Sequence, residues 1–145
     1  MQVQRSIEIS ARPDAVWPFL TEPAKILQWC ITFRKFEYAV EQRSGVGTRL
    51  YVEEKAGGPL MKLNFTITDW SENERVAFRM TSGTFVKAYE QSWTIQATPS
   101  GRFTFAENAE MPFGVLGKLL GLVGERQSKA TVGKMLAKLK TLAQA

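Results

Sequence analysis

Leu50-Tyr51-Val52-Glu53-Glu54-Lys55-Ala56-Gly57-Gly58-Pro59-Leu60-Met61-Lys62-Leu63-Asn64-Phe65-Thr66-Ile67 is the stretch that decides the fold of this chain. On both sides of Gly57-Gly58, large apolar residues alternate with polar ones, the period of strands buried on one face. Residues opposite each other in a hairpin share a face, so each turn can be tested against the pattern it joins. With Gly57-Gly58 as a two-residue turn, Val52 faces Leu63 and Leu50 faces Phe65. Continuing along the chain, Glu72-Asn73 sets Ile67 against Phe78 and Phe65 against Met80, and Ser82-Gly83 sets Met80 against Phe85. Pro99-Ser100-Gly101 fits a three-residue loop with glycine in the left-handed position, which sets Ile95 against Phe105 and Trp93 against Glu107.

A single register therefore gathers Leu50, Val52, Met61, Leu63, Phe65, Ile67, Val76, Phe78, Met80, Phe85, Trp93, Ile95, Phe103 and Phe105 on one face. The other face is polar. Such a one-sided antiparallel sheet needs a cover, and Pro112 to Ala145 is the long helical segment left to supply it. Upstream, Gln2 to Ser10 reads as a strand in which Val3, Ile7 and Ile9 alternate with Gln4, Ser6 and Glu8, Arg5 being the exception. Pro13 and Asp14 suit the first turn of a short helix that Pro18 kinks or ends. Pro23 opens a second, carrying Ile26, Leu27 and Trp29.

The terminal segment has two apolar stripes out of phase. Val132, Met135, Leu136 and Leu139 form one amphipathic face, with Lys134 and Lys138 opposite. Leu116, Leu119, Leu120 and Val123 repeat the pattern, but at roughly 100° per residue they point about 160° away from the first stripe. In line with the second half's apolar face stand Gly114, Gly117, Gly121 and Gly124, followed by Ser128. A continuous helix therefore leaves a void over the sheet and turns Leu116, Leu119, Leu120 and Val123 outward, as an apolar lid or a homodimer contact. A break near Gly124 instead lets both stripes face inward. Both arrangements remain open at this level.

Composition narrows the chemistry. With 145 residues and 44% apolar content the chain suits one domain, residues 1–145, with one core. No run spans a bilayer and the N-terminus lacks the order of a signal peptide, so a cytoplasmic protein is expected. There is no histidine and one cysteine, Cys30, which rules out Ser/His/Asp and Cys/His chemistry and leads us to expect no metal and no cofactor. The charge of +5 comes entirely from the last helix: thirteen basic residues balance thirteen acidic ones up to Met111, after which Lys118, Arg126, Lys129, Lys134, Lys138 and Lys140 face Glu125 alone. A solvated helix face accounts for this, with no nucleic-acid partner; weak contact with an anionic membrane is the alternative.

The order of strand, two short helices, long meander and long terminal helix resembles the START-like superfamily, also called SRPBCC or the helix-grip fold. Ile7-Glu8-Ile9-Ser10-Ala11-Arg12-Pro13-Asp14-Ala15-Val16-Trp17 is similar to that family's strand-to-helix opening. Gly45-Val46-Gly47-Thr48, Thr98-Pro99-Ser100-Gly101 and Met111-Pro112-Phe113 are similar to its polyketide cyclase/dehydrase-like branch. The resemblance implies an α+β helix-grip domain, a curved antiparallel sheet of six to seven strands around the terminal helix, with a cavity between them. It implies no particular reaction.

The register also turns Glu54, Asp69, Lys87, Tyr89, Gln91 and Glu107 inward. Glu54 and Asp69, at strand ends, read as a solvated rim. Lys87, Tyr89, Gln91 and Glu107 can converge in the cavity, where buried charge demands a partner. A β-bulge between Phe85 and Thr98 would instead send Lys87 or Gln91 to solvent. Phe65, Phe78, Trp93, Phe105, Gly117 and Gly121 complete the expected ligand surface, and Trp29 and Phe33 read either as its mouth or as plain core. Cys30 reads as an inert small apolar residue. Two functions follow: binding or carriage of a small, largely apolar molecule, or cyclase/aromatase chemistry. In the second, Glu107 is the general acid/base and Tyr89 or Lys87 polarises a carbonyl.

Overall fold

The computed structural model describes residues 1–97, 101–110 and 114–145, the side chains of 114–123 excepted. Seven strands form one antiparallel sheet: β1 (Gln2–Glu8), β2 (Phe33–Tyr38), β3 (Arg49–Glu54), β4 (Met61–Ser71), β5 (Arg75–Gly83), β6 (Ala88–Gln96) and β7 (Arg102–Glu110). Their order across the sheet is β1-β7-β6-β5-β4-β3-β2, a meander closed by the first strand. Between β1 and β2, at opposite edges, the chain crosses by three short helices: α1 (Pro13–Val16), α2 (Pro18–Thr21) and α3 (Pro23–Trp29). A proline opens each, because its fixed φ suits the first helical turn. Pro18 also lacks the N–H that would carry α1 onward, so the first expected helix divides into two single turns at Trp17.

Two of the four hairpin registers hold. Val52 pairs with Leu63 and Leu50 with Phe65, although the strands stop at Glu54 and Met61 and the turn is the six-residue loop 55–60 rather than Gly57-Gly58 alone. Ile67 pairs with Phe78 and Phe65 with Met80, but the turn is three residues, Glu72 to Glu74, with Asn73 left-handed at φ 63°. A register shift between Ile67 and Asp69 absorbs the extra residue. Beyond it Trp70 packs edge-on to Trp17 at 5.2 Å, while half-exposed Asp69 binds Arg75 at 2.7 Å.

The other two registers are corrected. Strand β5 pairs with β6 as Val76 to Trp93 and Phe78 to Gln91, so Met80 does not face Phe85. Phe85 lies in the connection with φ 65° and stands 58% exposed, because the strand resumes only at Ala88. In the next hairpin Ile95 faces Phe103, Trp93 faces Phe105 and Gln91 faces Glu107. The loop is five residues rather than three, and Thr98, Pro99 and Ser100 lie outside the described residues. Gly101 is left-handed as expected, at φ 61°.

The long helix α4 (Gly114–Ala143) is continuous through Gly124. Val132, Met135, Leu136 and Leu139 are buried against the sheet while Lys134 and Lys138 face water. The outward lid or dimer contact expected of Leu116, Leu119, Leu120 and Val123 lies outside the described residues, as do Met111, Pro112 and Phe113. Arg5, the exception in β1, crosses the helix and donates from Nη1 to the carbonyl of Lys129 at 2.9 Å. Gly133 makes room for it: a Cβ there would stand 2.6 Å from the same nitrogen.

Candidate functional site

Aromatic rings fill one end of the space between sheet and helix. Trp93 meets Trp29 and Phe78 edge-on, both at 5.1 Å, and Phe65 meets Phe78 at 4.9 Å and Tyr89 at 5.5 Å. Trp29 is fully buried, its indole N–H donating to the carbonyl of Phe19 at 2.7 Å, and Phe33 is buried beside Phe36. Both belong to this packed core, not to a mouth.

At the other end the packing opens. A cavity of about 210 Å³ lies between the loop after β3 and α4, bordered by Thr32, Glu54, Phe105, Glu107, Ser128 and Met135. A second, of about 170 Å³, lies on the far side of the same carboxyl groups, against Met61, Val86, Tyr89, Ala109, Gly124 and Ser128. Glu54, Glu107 and Ser128 border both. Of the glycine face, Gly124 and Ser128 are described, and both border the second cavity. Gly117 and Gly121 lie outside the described surroundings.

From the aromatic core to the carboxyl groups runs a chain of hydrogen bonds with a fixed direction. An indole N–H only donates, so Trp93 Nε1 gives to Gln91 Oε1 at 3.0 Å. Gln91 must then present its amide nitrogen to Tyr89, whose hydroxyl oxygen accepts at 2.7 Å. The one Tyr89 proton goes on to Glu54 Oε1 at 2.7 Å, and Thr32 donates to Glu54 Oε2 at 2.8 Å. Every donor in the chain points at Glu54, which is the arrangement that stabilises a carboxylate.

Burial nevertheless pushes the Glu54 carboxyl up, against the pull of Tyr89 and Thr32. Glu107, opposite Gln91, is raised to about 8 by burial and then by the charge of Glu54, against the opposing influence of the neighbouring Tyr89 hydroxyl and the N-terminal ammonium. The charge of one carboxyl group disfavours ionisation of the other, so Glu107 holds a proton at neutral pH. Burial, then Glu54 and Glu107, also push the Cys30 thiol well up, leaving it inert.

Of the residues singled out from the sequence, Tyr89, Gln91, Trp93, Phe105 and Glu107 come together here, with Phe65 and Phe78 behind them. Lys87 does not. It precedes β6, is exposed and pairs with Glu110 at 3.4 Å, so the inward reading is corrected. Glu54 is corrected in the other direction: only 3% exposed, it is the acceptor on which the cluster converges and not a solvated rim. Its place in the alternation after Leu50 and Val52 turns it inward, but does not say that its strand end is covered. Among the described residues no group of His, Cys, Asp and Glu is arranged to hold a metal ion, and no helix is long and apolar enough to cross a membrane.

A curved antiparallel sheet gripping a terminal helix over a partly polar cavity defines the START/SRPBCC class. The chain belongs to the family described as polyketide cyclase/dehydrase and lipid transport, whose model matches residues 1–144. Similar solved structures include TTHA0849 from Thermus thermophilus, at 19% identity and TM-score 0.81 over 99% of this chain and 97% of that one. A START superfamily protein from Mycobacterium smegmatis has 14% identity and TM-score 0.76 over 97% and 94%. The di-domain ARO/CYC protein BexL of the BE-7585A biosynthetic pathway has 13% identity and TM-score 0.74, over 100% of this chain and 50% of that one. At these identities the likeness is one of fold. No curated protein matches the chain at a significant level.

Proposed function

We propose that the protein binds a small, largely apolar molecule between the sheet and α4, with the molecule's polar end at Glu54 and Glu107. The observation that carries this reading is the pair of cavities meeting at those carboxyl groups, one bordered by Met61, Val86, Ala109 and Gly124 and both reaching α4 at Ser128. Apolar area supplies the affinity in such a site and a few polar groups the orientation. Native mass spectrometry of freshly purified protein tests it directly: a small-molecule mass excess that vanishes on denaturation is expected. Identical native and denatured masses, with no thermal shift on adding apolar probes, would sink the idea.

A cyclase or aromatase activity is the second reading, favoured by one feature. Glu107 holds a proton near neutral pH beside the Tyr89 hydroxyl, as a general acid must. Lys87 has no part in it, being outside the cavity. Glu107→Gln separates the two functions. Binding retained with turnover lost marks the enzyme; a modest loss of affinity, with no turnover in either form, marks the carrier.

A further inference from the structure

Most of the described polar side chains around the two carboxyl groups have already committed a proton. Trp93, Gln91, Tyr89 and Thr32 each direct a proton along the chain that ends on Glu54. On the described part of α4, Thr131 donates to the carbonyl of Gln127 at 3.0 Å and Ser128 is turned toward the sulfur of Met1 at 3.6 Å. What remains at the centre are the unused lone pairs of Glu54 and the carboxyl group of Glu107, which accepts once its proton leaves, with the Gln127 amide and exposed Lys55 at the rim of the first cavity.

Charge points the same way. Among the described residues Glu54 and Glu107 have no ion pair. Among the described residues that border these two cavities the charged groups are few, the N-terminal ammonium being one whose charge reaches Glu107. Lys55 borders the first cavity from its exposed loop, and the amino group of Met1 donates to the carbonyl of Ala109 at 2.8 Å beside the second. The described α4 residues that border the cavities, Gln127, Ser128 and Thr131 among them, are uncharged. A buried carboxylate without a cation gains most from a ligand that brings one.

Resting on the cavity reading above, we infer that the ligand is an organic amine, whose ammonium group sits between Glu54 and Glu107 and whose apolar body fills the space beside Met61, Val86 and Ala109. An acid of the same shape is disfavoured, because it would set a third carboxyl group against the two, with only the Glu107 proton to meet it there. The neutral alcohol binds between these extremes. The raised proton affinity of Glu107 adds a signature: the ammonium displaces that proton, so binding near neutral pH releases protons.

Octylamine, octan-1-ol and octanoate share one tail and differ in the head, so titration calorimetry with these three probes tests the assignment. The amine should bind about tenfold or more tighter than the alcohol, the octanoate weakest of all, and the amine's heat should vary with buffer ionisation enthalpy as proton release requires. Non-specific attraction works against this ranking, since a net charge of +5 favours the anion. Glu54→Gln should remove most of the amine's advantage over the alcohol, circular dichroism confirming the fold. Octanoate binding as tightly as octylamine, or a Glu54→Gln protein that keeps the full preference, overturns the inference and leaves the cavity reading intact. Failure of all three probes to bind overturns both. Should Glu54→Gln not fold, the ranking on the unaltered protein decides.

Discussion

At the scale of single residues, the site is governed by which groups can donate. Trp93 has a donor and no acceptor, and that one restriction fixes the Gln91 amide, then the Tyr89 hydroxyl, then the negative end on Glu54. Gln91→Leu should therefore destabilise the protein by about 2 kcal/mol or more, measured by urea unfolding. It leaves the Trp93 N–H without its acceptor and Tyr89 without its donor, at about 1–3 kcal/mol for each orphaned buried group. An unchanged midpoint would mean that the chain is not satisfied in the way described. Tyr89, Gln91 and Glu107 were legible in the sequence because inward polar residues are conspicuous on an apolar face. The importance of Glu54 was not, since a strand end reads as solvent until the loop and helix that cover it are known.

At the scale of elements, the alternation predicted faces better than partners. In both corrected hairpins the strands slid by an even number of residues, so Tyr89, Gln91, Trp93, Phe103 and Phe105 stayed inward while their neighbours changed. Glu107 reaches Gln91 and Tyr89 only because of the slide in the last hairpin; the register expected from Pro99-Ser100-Gly101 would have set it against Trp93. Strand β2 escaped the meander because its register shift between Phe33 and Lys35 breaks the alternation. Two glycines give a contrast that can be measured. Gly101 has φ 61°, and a Cβ would stand 2.6 Å from the carbonyl oxygen of Ile9, backbone that cannot swing aside. Gly101→Ala should cost about 2 kcal/mol or more. Gly133 is helical, and its obstacle is the tip of the Arg5 side chain, so Gly133→Ala should be neutral or raise the melting temperature slightly as helix propensity offsets a displaced exposed hydrogen bond. Equal losses from the two substitutions would contradict this account.

At the scale of the whole molecule, burying two carboxyl groups couples stability to pH. Glu107 titrates near 4.5 when unfolded and at about 8 when folded, so between those values the folded protein holds a proton that the unfolded chain releases. Stability is then fully present below the lower value and falls as pH rises through the window, by at most about 1.4 kcal/mol per pH unit. Glu54 is shifted in the same direction. Urea midpoints at about pH 5, 6.5 and 8 should decline in that order, and Glu107→Gln, which keeps the neutral form at every pH, should flatten the decline. A midpoint that rises across the window would contradict the sign. By itself the sequence determined the one-sided sheet, the covering helix and the glycine face, because each follows from a short-range period in side-chain character. Only the tertiary structure decided that α4 runs unbroken through Gly124, that Lys87 lies outside and that Glu54 lies within, because these depend on loop lengths and on what covers a strand end, and no local pattern encodes either.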